Sequence, residues 1–173
     1  MTLHRLVLLR HAKAEPAGAV VDHERPLALP GRRQASAVGA ALAAAGLAPT
    51  HVLCSSALRT RQTWEIVRTA LLAAGAGAPS VSVTDDLYDA STGDLVAALQ
   101  SQPDDATTVL VVGHEPTVSH AAGVLAGPGS DEAVVARVRS GVPTAAWSVL
   151  EHDGPWDEVG PAALRLVRLE RPA

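Results

Sequence analysis

Short apolar runs alternate with longer amphipathic stretches along the first two thirds of the chain. A short apolar run that ends in polar residues is typical of a strand, and apolar residues spaced three and four apart are typical of a helix. The run at 109–112 is wholly apolar, which predicts a strand buried on both faces of a sheet. The predicted strands are 3–9, 51–54, 81–84 and 109–112, and the predicted helices are 31–47, 57–74, 91–100 and one that begins near Pro116.

Local signals mark where several of these elements begin and end. Gly46 stands at the end of the first predicted helix and is expected to close it. Ser91 and Asp94 have the spacing of a capping box, and Pro116 suits the first turn of a helix. Residues 14–30 are rich in proline and charge, so they are predicted to form a loop.

The C-terminal third of the chain has a different pattern. Residues 127–143 contain many glycines and prolines and are predicted to be a loop with some helix, while 145–152 and 163–170 alternate like strands. These two strands could form a hairpin or join different edges of the sheet. Together with the strand–helix alternation before them, they predict a three-layer α/β/α fold. Its sheet would be mainly parallel, with an antiparallel edge from the C-terminal strands.

Length, composition and charge limit the possible functions. The 173 residues fit a single domain spanning 1–173, and a hydrophobic content of 47% is typical of a globular protein. A net charge of −4, with three Trp, one Tyr and no Phe, argues against a nucleic-acid partner. The apolar runs are too short for a membrane span or a signal peptide. We therefore expect a cytoplasmic protein that binds neither nucleic acid nor membrane.

Polar residues follow the predicted strands at their carboxyl ends, where ligands collect in parallel α/β sheets. Two histidines, two arginines and several carboxylates are thereby predicted to meet at one edge of the sheet. They are Arg10 and His11 after the first strand, Arg59 in the helix after the second, Asp85, Asp86 and Asp89 after the third, and His114 and Glu115 after the fourth.

This combination fits the hydrolysis of a phosphate ester or a phosphoramidate. Guanidinium groups match phosphate oxygens, and the helix start at Ser56 adds backbone N–H groups. A neutral imidazole can attack phosphorus, a second histidine can donate to a phosphoryl oxygen, and a carboxyl group can protonate the leaving group. Such a set works without a metal or another cofactor, and we predict none.

Two other chemistries fit part of the pattern. Cys54 and Arg59 form Cys-x4-Arg, one residue short of the loop of cysteine phosphatases, and a thiol at the end of an apolar strand is expected to be buried and inert. A metal site built on His11 and His114 is also conceivable. The neighbouring arginines would repel a divalent cation, so we discount it.

Ordered sequence blocks resemble those of the histidine phosphatase superfamily, which has the phosphoglycerate-mutase-like fold. These blocks are Arg10-His11-Ala12, the segment SSALRTRQT at 55–63 and the segment GHEP at 113–116. Segments 22–27, 31–35 and 86–90 are similar to the SixA-type phosphohistidine phosphatase branch. Order and spacing match over nearly the whole chain.

The resemblance implies a role for each matching residue. It implies that His11 is the nucleophile and that Arg10, Arg59 and His114 bind the phosphate group. By the same resemblance, Arg61 is not a phosphate ligand, and helical geometry places it about 200° around the axis from Arg59.

The resemblance leaves the general acid open. Many members of the superfamily place a Glu two residues after a Leu in the third block, and in this chain Asp89 stands two residues after Leu87. Asp86 and Glu115 are the alternatives. Aspartate is shorter than glutamate by one methylene, and the SixA branch commonly departs from the pattern.

The loop at 14–30 contributes residues whose expected roles are structural. Asp22 and Arg25 are expected to pair and to order the loop. His23 lies in the same loop, which should border the pocket.

The function implied by the resemblance is hydrolysis of phosphohistidine on a protein, such as a histidine-phosphotransfer domain, through a covalent phosphohistidine at His11. Apart from 14–30 and 127–143, the chain has little beyond the core with which to cap its pocket, and an open site suits a protein substrate. One alternative is a phosphatase acting on a small phosphorylated metabolite, a phosphomonoester. Another is a non-catalytic phosphate- or phosphoprotein-binding module, although binding alone needs no nucleophile.

Overall fold

The structure is a computed structural model that describes residues 3–18 and 20–172. Six strands form one sheet in the order β3-β2-β4-β1-β5-β6. The strands are β1 (His4–Arg10), β2 (His51–Ser55), β3 (Ser80–Thr84), β4 (Thr108–Gly113), β5 (Trp147–His152) and β6 (Arg165–Glu170). The helices are α1 (Leu29–Ala44), α2 (Leu58–Ala73), α3 (Thr92–Gln100), α4 (Thr117–Leu125) and α5 (Glu132–Arg139).

Four strands of the sheet are parallel, and the two C-terminal strands extend it in the antiparallel sense. β4 lies between β1 and β2 and is parallel to both, and it is buried at every position, as the apolar run predicts. β5 pairs antiparallel with β1, and β6 pairs antiparallel with β5. The C-terminal strands therefore form a hairpin that supplies the predicted antiparallel edge.

Helices cover both faces of the sheet, which confirms the three-layer α/β/α prediction. Alternate residues of β1 enter opposite cores: Leu6 and Leu8 pack on the side of α3, α4 and α5, whereas Val7 and Leu9 pack on the side of α1 and α2. None of the helices in the described ranges is long and apolar enough to cross a membrane.

The segment predicted to be a loop contains some helical structure, and the segment predicted to be a loop with some helix contains one full helix. Residues 14–30 include a short 3-10 helix (Asp22–Glu24) and the first two residues of α1. Residues 127–143 include the whole of α5, because the Asp131 carboxylate accepts hydrogen bonds from two backbone N–H groups and caps that helix. The predicted capping box of Ser91 and Asp94 is present at the start of α3.

A close backbone contact ties the start of α1 to the segment that leaves β1. A Cβ atom at Gly31 would lie 1.9 Å from the carbonyl oxygen of Lys13, so only glycine fits at this position. The N–H of Ala28 donates to the same carbonyl. This contact fixes the segment that follows His11.

Candidate active site

The register of the sheet places the two predicted site histidines side by side. Arg10 is opposite Gly113 across the β1–β4 pair, so His11 and His114 leave the sheet at the same level. The His11 N–H donates to the Gly113 carbonyl, and the two imidazole centroids lie 5.3 Å apart. The positions of His11 and His114 directly after two parallel strands therefore predict correctly that the two side chains lie together.

His11 is held as a neutral imidazole with one nitrogen available. Its Nδ1 lies 2.8 Å from the Ala12 carbonyl oxygen, which can only accept, so Nδ1 carries the proton and Nε2 keeps its lone pair. Burial is the main cause that lowers the pKa of His11 to about 4, and the nearby Arg59 and Arg10 add to it. At neutral pH His11 therefore has the unprotonated nitrogen that attack on phosphorus would require.

Thr63 connects the nucleophile segment to α2, a role that the sequence analysis does not assign. Its Oγ1 accepts a hydrogen bond from the Ala12 N–H and donates to the Arg59 carbonyl, one turn earlier in the helix. The signal in the sequence is its position four residues after Arg59, on the same face of α2.

His114 is also neutral, with its second nitrogen turned toward Arg59. The guanidinium Nη2 of Arg59 lies 3.4 Å from Nδ1 and can only donate, so Nδ1 accepts and Nε2 donates to Ser55 Oγ at 2.8 Å. Burial, followed by the charges of His11 and Arg59, lowers the pKa of His114 to about 3. A phosphoryl dianion nearby would raise that pKa and favour an imidazolium that donates to it.

Both predicted phosphate-binding arginines are fixed at the strand ends. Arg59 is buried, and its Nη1 donates to the Asp22 carbonyl at 2.7 Å. Arg10 donates from Nη1 to the Val142 carbonyl at 2.7 Å. Within the described ranges, the Nε atoms of both arginines are buried without a hydrogen-bond partner.

The Asp22 carboxylate lies at the mouth of this pocket, in addition to making the predicted pair with Arg25. One oxygen accepts from Arg25, and the other accepts from Arg59 Nη2 at 3.0 Å and from the Tyr88 hydroxyl at 2.6 Å. The hydrogen bond from Tyr88 is the main cause that lowers the pKa of Asp22 to about 2. Asp22 is therefore ionised throughout the physiological pH range.

Tyr88 forms an aromatic wall of the pocket, which the sequence analysis does not predict. Its ring meets the ring of His114 edge-on at 5.6 Å and that of His23 at 5.0 Å. His23 hydrogen-bonds Ser56 Oγ at 2.9 Å, so its loop borders the site as expected. Tyr88 is the only tyrosine of the chain, and its position between Leu87 and Asp89 is the one signal that the sequence offers.

The three candidate acids are not equivalent. Asp89 and Asp86 are exposed on the segment after β3. Glu115 accepts backbone hydrogen bonds with both oxygens, from Val142 at 2.6 Å and from Ser119 at 3.1 Å. Because the Val142 carbonyl binds Arg10, Glu115 fixes the segment that positions this arginine. In the described part of the chain, no carboxylate makes a hydrogen bond with His11 or His114.

The thiol alternative is not supported by the structure. Cys54 is fully buried in the core beside α2. Burial raises the pKa of its thiol to about 12, so the thiolate needed for nucleophilic attack is not formed at neutral pH.

We expect the stability of the fold to fall as the pH drops from about 6.5 toward 4. In that range the unfolded chain protonates His11 and His114 and the folded protein does not, so stability rises with pH and is complete above the unfolded pKa. A loss of roughly 2 kcal/mol per histidine is expected by about pH 5. Urea unfolding at about pH 6.5 and at about pH 5 measures this difference in the free energy of unfolding.

The matched variants for this measurement are His11→Gln and His120→Gln. The first removes one buried imidazole and should reduce the pH-dependent loss. The second removes an exposed imidazole of α4 and should retain it. Equal pH dependence in wild type and His11→Gln would contradict the prediction.

Comparison with known proteins identifies the family of this chain. The family model of the histidine phosphatase superfamily (branch 1) matches residues 6–101. The uncharacterized protein Rv1276c of Mycobacterium tuberculosis is 40% identical over 165 residues, which is 95% of this chain and 99% of the relative.

Two solved structures are similar over the full length of the fold. A protein assigned as phosphohistidine phosphatase SixA of Nakamurella multipartitia has 31% identity and a TM-score of 0.83, covering 100% of this chain and 98% of its own. One assigned as SixA of Agrobacterium tumefaciens has 27% identity and a TM-score of 0.80, covering 98% of each chain. The family model matches residues 6–101, more than half of the chain, and Rv1276c is 40% identical over 95% of it. The chain therefore belongs to the histidine phosphatase superfamily.

Proposed function

We propose that this protein hydrolyses phosphohistidine on a protein substrate through a covalent phosphohistidine at His11. The observation that carries the proposal is the neutral, buried His11 with its Nε2 free beside two guanidinium groups and His114. The full-length likeness to structures assigned as SixA supports the phosphohistidine specificity.

The reaction would proceed in two displacements at phosphorus. His11 Nε2 forms a bond to phosphorus while the bond from phosphorus to the substrate ring nitrogen breaks, and its electron pair returns to that ring. Arg10, Arg59 and a protonated His114 balance the charge on the phosphoryl oxygens. Water then attacks phosphorus, the bond to His11 breaks, and orthophosphate leaves with one proton released to solvent.

The acid candidates support a phosphoramidate rather than an ester. An alcohol leaves as an alkoxide unless a positioned acid protonates it, whereas imidazole is a much better leaving group. Asp89 is exposed, and both oxygens of Glu115 are bound to the backbone. Of the three candidate carboxylates, Asp86 and Asp89 are exposed and Glu115 is held by the backbone, an arrangement better suited to the nitrogen–phosphorus bond.

The mouth of the pocket supports a macromolecular substrate. Val20 and Val21, beside Asp22 in the loop that borders the site, are 48% and 70% exposed. Adjacent exposed apolar side chains suit contact with a protein surface. We propose the cytoplasm as the location, where phosphorylated protein partners would be available.

The test is a comparison of kcat/KM on three substrates: a phosphorylated histidine-phosphotransfer domain, an alkyl phosphate and an aryl phosphate. We expect the phosphohistidine protein to be the best substrate. We also expect Asp89→Asn to retain most activity on it, because no acid is needed there, and Asp104→Asn is the matched control. Preference for an alkyl phosphate with a loss of about 10²-fold in Asp89→Asn would support the ester alternative. Binding without turnover would support the binding module.

A further inference from the structure

A fully ionised carboxylate lies against the arginine that is expected to bind the phosphoryl group. Asp22 is held by Arg25, Arg59 and Tyr88 on the short 3-10 helix between β1 and α1. Its side chain is 49% exposed, so the carboxylate is fixed by these three partners and is still accessible from solvent.

The position of this carboxylate creates an electrostatic conflict with a bound phosphoryl group. The Nη2 of Arg59 that binds Asp22 also lies 3.4 Å from His114 Nδ1, so Asp22 borders the space where the phosphoryl oxygens would bind. Two unit charges about 4 Å apart repel by an amount that corresponds to about a fivefold loss of affinity in water, and more where water is excluded.

A positively charged leaving group would remove this conflict. In a protonated phosphohistidine, one ring nitrogen is bonded to phosphorus and the other carries a proton, so the ring has a charge of +1. That N–H can donate to the Asp22 carboxylate, whose low pKa keeps it an acceptor and not an acid. An ester oxygen carries no such charge.

We propose that Asp22 is a specificity-determining residue, which favours phosphoryl donors with a cationic imidazole leaving group over phosphomonoesters. The inference rests on the proposed function. When the nitrogen–phosphorus bond breaks, its electron pair neutralises the leaving ring, which keeps the proton on its other nitrogen. The positive charge then resides on the phosphorylated ring of His11, whose Nδ1 keeps its proton and donates it in a hydrogen bond to the Ala12 carbonyl.

The same carboxylate would also promote product release. Orthophosphate is an anion and carries no cationic ring. Asp22 therefore competes with orthophosphate for the guanidinium group of Arg59. Removal of the carboxylate charge should therefore strengthen inhibition by orthophosphate while it weakens turnover of phosphohistidine. A purely structural role would weaken both.

The test uses Asp22→Asn, which retains the shape of the side chain and removes its charge. Phosphoimidazole and p-nitrophenyl phosphate are the substrates, and orthophosphate is the inhibitor. We expect kcat/KM to fall about tenfold on phosphoimidazole and to stay level or rise on p-nitrophenyl phosphate. The inhibition constant of orthophosphate should fall about fivefold. The difference between wild type and variant on phosphoimidazole should narrow as rising pH removes the ring proton.

Controls separate this inference from a loss of folding and from the proposed function. Glu15→Gln removes a charge from the same loop outside the pocket and should leave both rates unchanged. Asp22→Ala should, like Asp22→Asn, lower kcat/KM on phosphoimidazole without lowering it on p-nitrophenyl phosphate. Parallel losses on both substrates, or weaker orthophosphate inhibition, would overturn the inference alone. If the wild type hydrolyses no phosphoimidazole, the proposed function fails, and the inference fails with it.

Discussion

His11→Ala should reduce turnover below detection on every phosphoryl substrate while the fold persists. The variant removes Nε2 of His11, the proposed nucleophile, so water would have to attack phosphorus directly. Within the described residues the imidazole makes one side-chain hydrogen bond, to the adjacent Ala12 carbonyl, so its loss breaks no hydrogen bond between elements and removes the contact of its ring with that of His114. Rapid-quench assays measure turnover, and circular dichroism measures folding.

Wild-type enzyme quenched during turnover should carry phosphate on His11, as an adduct that is labile in acid and stable in base. Cys54→Ser is the matched control, because the buried thiol is expected to take no part. Turnover by His11→Ala together with inactivity of Cys54→Ser would assign the nucleophile to the thiol. Chelators should leave the wild-type rate unchanged, and loss of activity that zinc or magnesium restores would indicate a metal site.

The architecture follows from signals that are local in sequence. The apolar run of β4 predicts its central place, and alternation in the C-terminal segments predicts strands. The start of α1 is predicted wrongly, because the segment 14–30 is rich in proline and charge. Pro30 occupies the first turn of α1 instead of preceding it. Within 127–143, where a loop with some helix is predicted, the Asp131 cap fixes where that helix, α5, begins.

The site is predictable only where strand ends fix it. Arg10, His11 and His114 come together because parallel pairing places consecutive strand ends at one edge, which a sequence pattern reveals. Asp22 and Tyr88 are 66 residues apart, and their hydrogen bond depends on how the loop after β1 folds back over α2. No periodicity encodes that contact, so the sequence predicts only the pair of Asp22 with Arg25.

Arg59→Ala should lower kcat/KM by about 10³-fold or more, because it removes a charged donor that acts on the phosphoryl oxygens as their charge develops. Arg61→Ala, two residues later on the same helix, should change it by no more than about threefold, since helical geometry turns that side chain about 200° away. The structure agrees with this difference in orientation: Arg59 is 5% exposed and bonded to Asp22, while Arg61 is exposed.

Arg59→Lys distinguishes the two contributions of this residue. Lysine keeps the positive charge but loses the planar fork that reaches Asp22 and the phosphoryl group together, so an intermediate rate is expected. Steady-state kinetics on an aryl phosphate, with thermal unfolding of each variant, measures the ranking. A larger loss in Arg61→Ala than in Arg59→Ala would show that the second sequence block is out of register. The phosphate ligand from α2 would then lie on the face of the helix that carries Arg61 instead of the face that carries Arg59.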